Sequence, residues 1–481
     1  MLPIRDSGRW ITPTFHNTLG TPTVQTGKPT KYTFPVISGI LRYLRGDEVE
    51  LLPHQTEALK ASKGLNRVAY YWDMGLGKTF IGAEKLKELN TDYSLVVCQK
   101  SKVSDWLEHF REYYPEMFIA DLTNKKGYQE FFNLISKVDF RSFPDHSRMI
   151  GIVNYELIFR RKDFLNLSGF TLLLDESSLI QNDKAKRSKF ILNLHSANVI
   201  LLSGTPVSGK YENLWSQIHL LGWDISNELY QKQYVNWILT EEDEAGFRHW
   251  IVDREDPYKN VDRLKNKLRE HGAFFLKTEE CFTLPDQTFI TVSVPTTKEY
   301  RKFRKQKLVT VEEQELVGDN IFKERLYSRM LCGHFNRKKF DAFVDLLDST
   351  KDRLIVFYNF NSELKKLKEL VKAADRPISI INGETKDLTA YETESDSVTL
   401  IQYQAGAMGL NLQKANKIIY FTLTDKSELF EQSKKRIHRI GQNQPCFYYL
   451  MICKNSVEEV MLKTLEERRD FTDDLFKECK Q

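Results

Sequence analysis

No stretch of this chain approaches the ~20 consecutive apolar residues that a bilayer-crossing helix needs, and no signal-peptide core opens it. Neither membrane integration nor secretion is therefore expected, and the chain reads as cytosolic. Cysteine is sparse, with six in 481 residues and no Cys-x-x-Cys pair. That argues against a disulfide framework or a zinc site, since Cys98 and Cys453 sit inside apolar strand-like runs as reduced core thiols do. A dominant charge is missing too. Lys and Arg number 70 against 66 Asp and Glu, a net charge of +4, so attraction for a polyanion must come from local clusters. No short-period repeat is present, which excludes solenoids and propellers.

What remains is an ordinary globular composition, 41% hydrophobic and 28% charged, long enough for two or three domains with their own cores. Residues 1–50, rich in Thr, Pro and Gly, read as an N-terminal accessory segment. Over 51–223, short apolar runs (94–98, 149–153, 171–174, 199–202) alternate with helical patterns. Continuous apolarity predicts strands buried on both faces, hence a parallel sheet covered by helices. Residues 224–335, with a helical pattern over 258–270 and a basic run at 301–307, read as a helical insertion or linker. A second set of buried runs (354–357, 378–381, 398–403, 417–421, 447–452) marks 336–456 as another such lobe, and 457–481 as a C-terminal helix. The expected fold class is α/β: two doubly wound parallel-sheet lobes joined by a helical region.

The heptapeptide Asp73-Met74-Gly75-Leu76-Gly77-Lys78-Thr79 follows an apolar run and precedes a helical pattern from Phe80. Glycines let backbone N–H groups close on an oxyanion, and the helix N-terminus adds partial positive charge. Lys78 suits the outer phosphates of a nucleotide and the Thr79 hydroxyl suits Mg²⁺. The general phosphate-loop spacing wants glycine where Trp72 stands. Downstream, Asp175-Glu176 closes an apolar run. At the carboxyl edge of a parallel sheet such a pair lies beside the phosphate site, Asp175 suited to Mg²⁺ through water and Glu176 to polarising attacking water. A solvated turn or helix cap is the alternative for that pair. Ser203-Gly204-Thr205-Pro206 is a strand entering a small-residue turn, suited either to relaying a change at the phosphates or simply to turning the chain. In the second lobe, Gln404–Leu412 is a glycine-punctuated loop. Arg436 and Arg439, three apart, are expected on one helical face aimed across a cleft at a γ-phosphate. Lys434 and Lys435 read as a solvated or backbone-contacting face.

In this order, these motifs resemble helicase superfamily two. The strings at 73–79, 409–412 and 436–442 resemble its Swi/Snf-type branch of double-stranded-DNA translocases, over roughly 51–459. The resemblance implies RecA-like lobes, ATP and Mg²⁺ as cofactors, and Glu176, Gln432, Arg436 and Arg439 as catalytic residues. It implies ATP contacts from Gln55, as base reader, Met74, Gly75, Leu76, Gly77, Lys78, Thr79 and Gly409, with Ser203, Gly204 and Thr205 as the coupling turn. Candidate DNA contacts are Lys100, Lys102, Trp106, Asn154, Tyr155, Gln404 and Asn411. Basic clusters at 184–189, 301–307 and 337–339 are further phosphate-contact candidates or else solvated charge. The chain departs from the family where Gln99 replaces a usual proline, where Ser177 and Ser178 follow the acids instead of a small residue and histidine, and where Val207-Ser208-Gly209 follows Pro206.

The leading expectation is an ATP-driven motor on duplex DNA, compact and of bacterial or phage type, acting in a bacterial or phage-infected cytosol. A strand-separating or fork- and junction-remodelling helicase is one alternative, with residues 1–50 as its candidate wedge. A nucleotide-gated recruitment protein without turnover is another. The assignments are tested by three substitutions. Lys78→Ala is expected to weaken ATP binding, Glu176→Gln to retain binding without turnover, and Arg439→Ala to retain DNA binding without hydrolysis; wild-type turnover by E176Q would refute the catalytic assignment.

Overall fold

A computed structural model describes residues 49–137, 148–242, 246–406 and 410–476, all within one compact unit, Tyr43–Gln481. The accessory segment expected at 1–50, including its candidate wedge, lies outside the described residues except for its last two positions. Lobe 1 contains β1 (Arg67–Trp72), β2 (Tyr93–Cys98), β3 (Phe118–Asp121), β4 (Met149–Asn154), β5 (Thr171–Asp175) and β6 (Asn198–Ser203). A hairpin of β7 (Trp237–Leu239) and β8 (Trp250–Val252) follows, then β9 (Ala273–Leu276), β10 (Gln287–Val294) and a second hairpin of β11 (Leu308–Val311) and β12 (Gln314–Val317). Lobe 2 continues with β13 (Leu354–Tyr358), β14 (Ile378–Ile381), β15 (Lys386–Asp387), β16 (Val398–Gln402), β17 (Lys417–Tyr420) and β18 (Cys446–Cys453).

Each lobe is built on a seven-stranded sheet, ordered β3-β4-β2-β5-β6-β1-β9 in the first and β10-β18-β17-β13-β16-β14-β15 in the second. All pairings in the first are parallel; in the second only β14–β15 is antiparallel. The runs Leu172-Leu173-Leu174 and Ile355-Val356 are fully buried because both sheet faces are covered by helices. Two doubly wound α/β lobes are the architecture.

The helical reading of 224–335 is incomplete. Helices do run there, such as Val261–Glu270 and Ile321–Cys332, but the segment also supplies an edge strand to each sheet. Strand β9 pairs in parallel with β1, and β10 with β18. The aromatic and β-branched runs Ala273-Phe274-Phe275-Leu276 and Thr288-Phe289-Ile290-Thr291-Val292 suit a pleated surface, but charged neighbours mask them in a window average. Residues 277–286 thus connect the two sheets.

The Val457–Phe476 helix spans both lobes. At its start Glu458 is buried and accepts from the Lys339 ammonium at 2.6 and 2.7 Å, which removes Lys339 from the expected basic clusters. Met461 and Leu465 lie in the lobe 2 core, whereas Leu475 and Phe476 lie in that of lobe 1. The Tyr211 hydroxyl donates to the Phe471 carbonyl at 2.7 Å, and Lys265 and Lys277 pair with Asp474 and Asp473. Leu475→Ala is expected to cost about 2–5 kcal/mol, while Val460→Ala on the solvent side of the same helix should cost under about 0.5 kcal/mol. Urea denaturation midpoints of the two variants provide the check.

Candidate active site

Strand order gathers the first-lobe motifs. The strands β5, β6 and β1 are neighbours, with Asp175 paired to Leu202 and Leu202 to Tyr70, so their carboxyl ends lie side by side. From those ends emerge Asp175-Glu176, Ser203-Gly204-Thr205 and the phosphate loop. Trp72 occupies the usual glycine position because β1 still runs there; its ring is buried, edge-on to His54 and Tyr70. The turn begins only after it, and Gly75 and Gly77 take φ of 91° and 74°, a region side chains disfavour. A Cβ on Gly77 would also lie 2.2 Å from Gln55 Nε2.

Gln55 is fully buried beneath this loop. Its oxygen accepts from Leu52 N–H at 2.9 Å, and its amide donates to the Leu76 and Gly77 carbonyls at 3.3 Å. It therefore both caps its own helix and braces the loop. Leu76 faces the core, leaving only its backbone on the loop. The Lys78 ammonium donates to the Trp72 and Asp73 carbonyls at 2.8 and 3.1 Å, and an added Cβ on Gly204 would sit 3.5 Å from it. Burial lowers its pKa, opposed by Glu176, Asp73 and Asp175. Thr79 stands in the first turn of the Lys78–Leu89 helix.

Glu176 adopts φ 52° and ψ 59°, a left-handed conformation uncommon for a non-glycine residue. Burial, reinforced by Asp175 and Glu428 and opposed by Lys78, pushes its carboxyl up to about 7. Burial also raises Asp175, against a 2.9 Å hydrogen bond from the Trp106 indole.

That bond corrects a DNA-contact expectation. Trp106 lies on the buried face of the Val103–Tyr113 helix with Val103, Leu107 and Phe110, at the spacing of a core stripe. Tyr155 is likewise buried, donating its hydroxyl to the Asp175 carbonyl at 2.9 Å, and Asn154 is 3% exposed with its amide on Glu156. Trp106 and Tyr155 support the acidic strand end, and all three side chains are buried. Lys100 and Gln404 are exposed; Lys102 is partly exposed and paired with Asp105. Gly409 lies outside the described residues.

The arginines are not on a helical face. Their helix, Ser427–Lys434, has ended before them; the Lys434 carbonyl accepts from the Tyr448 hydroxyl, and that of Arg436 accepts from Leu412 N–H. Tight turns then carry Arg436 and Arg439. Arg436 is 3% exposed, and burial together with Arg439 lowers its pKa to about 10, with Glu176 pulling the other way. Burial lowers Arg439 as well. Lys434 and Lys435, expected on a solvated face, are instead packed into the cleft. Lys434 pairs with Glu431 at 2.6 Å, and Lys435 reaches across the lobes to Asp73 at 3.1 Å. Burial would raise Asp73, but Lys435 and the Thr278 backbone N–H hold it below the ordinary carboxylate range. Sequence reading missed Thr278, Gln217 and Glu428; no local signal marks them, since their partners are remote in sequence.

The arrangement fits a triphosphate and a divalent ion. A cavity of about 330 Å³ between the lobes is lined by Asp73, Glu176, Thr205, Gln432 and Lys435. Several buried polar atoms have no partner: Glu176 Oε2 and Thr205 Oγ1 on the cavity wall, and Arg436 Nε and Nη2 and Arg439 Nε on the arginine segment; Asn411 Oδ1, on the glycine loop, is a further one. Buried groups are rarely left so unless something else satisfies them. Lys78, Thr79 and the loop N–H groups would hold the phosphates, with Thr79 and Asp175 at the metal.

The family described as the SNF2-related domain matches residues 71–340, and the helicase conserved C-terminal domain matches 338–441. The ISWI chromatin-remodeling complex ATPase ISW1 of Saccharomyces cerevisiae is 24% identical over 469 residues, 87% of this chain but 40% of its own length. An uncharacterized ATP-dependent helicase of Bacillus subtilis, YqhH, is 24% identical over 463 residues, covering 87% of this chain and 78% of its own. The Sulfolobus solfataricus SWI2/SNF2 ATPase core, solved in complex with dsDNA, aligns over 88% of this chain and 92% of its own at 18% identity and a TM-score of 0.38. The chain thus spans about 40% of the length of ISW1 and of the mouse SWI/SNF-related subfamily A member 1.

With its carboxyl pushed up to about 7, Glu176 in the expected role of base predicts a pH dependence. Below its pKa Glu176 is protonated and cannot accept a proton from water. The kcat/KM for ATP is therefore expected to rise through about pH 7 and to fall about tenfold per unit on the acid side. A profile flat between about pH 6 and 8 would remove Glu176 from the role of base.

Proposed function

We propose that this chain, which belongs to the SNF2-related domain family, is an ATP-hydrolysing motor that closes its two lobes around ATP and moves along duplex DNA. The observation that carries the reading is the split cleft. Lobe 1 contributes Lys78, Thr79, Asp175 and Glu176, while lobe 2 contributes Gln432, Arg436 and Arg439 with buried, unpartnered guanidinium nitrogens. A site completed only by both lobes makes nucleotide occupancy and lobe position one equilibrium.

ATP would supply the phosphoanhydride bond, and Mg²⁺ held by Thr79 and Asp175 would spread its charge. Lys78 gives up its two loop carbonyls for phosphate oxygens. Glu176 accepts a proton from the attacking water. Arg436 and Arg439 stabilise the negative charge that grows as the bond breaks. The Ser203–Thr205 turn lies against Lys78 and senses the change. Lys100 and Gln404, one on each lobe, are the exposed candidates for holding the DNA backbone, with salt-dependent affinity.

The β7–β8 hairpin supports a second reading, strand separation. It exposes Trp250 by 65% and carries Trp237 at the surface, indoles of the kind that stack on unpaired bases.

ATPase stimulation by duplex DNA, single-stranded DNA and RNA separates the readings, together with triplex-displacement and unwinding assays. Duplex stimulation with triplex displacement is expected. Stimulation by RNA alone would overturn the motor's proposed track, and unwinding lost in Trp250→Ala would favour the separating enzyme.

A further inference from the structure

Two hydrogen bonds from different lobes meet on one oxygen. Ser178, two residues past Glu176, donates its hydroxyl to Glu428 Oε1 at 3.4 Å, and Gln432 donates its amide to the same atom at 3.3 Å. Glu428 lies in the first turn of the Ser427–Lys434 helix, one turn before Gln432, so both groups share a face. Its neighbour Ser427 donates to the Ser208 carbonyl at 3.0 Å, tying the same helix end to the loop after β6. Within lobe 1 the Ser177 hydroxyl donates to Gln217 Oε1 at 2.7 Å, and Gln217 Nε2 donates to the Pro206 carbonyl at 2.6 Å. The turns after β5 and β6 are therefore joined to each other through Gln217, and to lobe 2 through Glu428 and Ser427.

Phosphate binding does not call for a carboxylate at position 428. A second acid facing Glu176, in a cleft that receives a triphosphate, opposes the nucleotide's own charge. What the carboxylate does supply is one acceptor for a donor from each lobe. Its span is short and its partners are the two turns that flank the chemistry. We infer that Glu428 is a positioning residue that couples hydrolysis to lobe movement, passing a shift of the Glu176–Ser178 turn to Gln432 and the arginine-bearing turns beyond it. This rests on the motor reading above.

The test compares the full-length wild type with E428A, E428Q, S178A and the S178A/E428A double variant, measuring ATP hydrolysis with and without duplex DNA. E428A and S178A are each expected to lower duplex-stimulated kcat about tenfold while KM for ATP stays within about twofold. E428Q should restore most of kcat, because an amide oxygen still accepts from both donors. The double variant should be no worse than the worse single, since both remove one linkage. Should E428A fail to fold, S178A against E428Q makes the same comparison. Wild-type stimulation in S178A, an E428Q as impaired as S178A, or losses that multiply in the double variant would each overturn the inference alone. A wild type that no duplex stimulates would overturn the motor reading and this inference with it.

Discussion

Three neighbouring strands, β5, β6 and β1, run parallel and end together, and the chemistry of lobe 1 depends on that alignment. Parallel neighbours require the chain to cross back over the sheet between them, so segments remote in sequence emerge at one edge. Lys78, Glu176 and Gly204 are brought together in this way. The buried apolar runs behind them make the edge rigid. A slip of one residue in any of the three strands would turn its side chains to the opposite sheet face.

Against that edge, lobe 2 presents charge. The Asp73–Lys435 pair joins the phosphate loop to the arginine segment at 3.1 Å, while Arg436 is buried and it and the partly buried Arg439 keep guanidinium nitrogens unsatisfied. Paired charges hold the lobes in register; unpaired ones create a demand for an anionic ligand. Burial acts on both sides of the cleft, raising Glu176 toward neutrality and lowering Arg436. Each group is thereby held nearer its uncharged form than water would leave it; an anionic ligand would return Arg436 toward full charge and hold Glu176 still nearer neutrality. The Val457–Phe476 helix adds an apolar tie, because Met461 packs in one core and Leu475 in the other.

Much of this was legible in the chain. Continuous apolar runs such as 171–174 and 354–357 announced central strands, since burial on both faces removes the alternation that marks a half-exposed strand. Edge strands were harder. Phe118–Asp121 is four residues long with an exposed end, and β9 and β10 sit among charged helices, so neither length nor periodicity sets them apart. Trp106 and Tyr155 were misplaced because their positions in a motif say nothing about which way a side chain faces. Arg436 and Arg439 have helical spacing without a helix; carbonyls there bond Tyr448 and Leu412, which come from other segments.

By itself the sequence determined the two-lobed α/β plan and the place of a glycine-rich loop between a strand and a helix. These follow from local apolarity and from short motifs whose residues act within one turn of each other. Only the tertiary structure decided that Lys435 meets Asp73, that Glu428 receives a donor from each lobe, and that Trp106 supports an acid instead of facing solvent. Such pairings join residues far apart in the chain. They depend on how sheets stack and lobes meet, which no local pattern encodes.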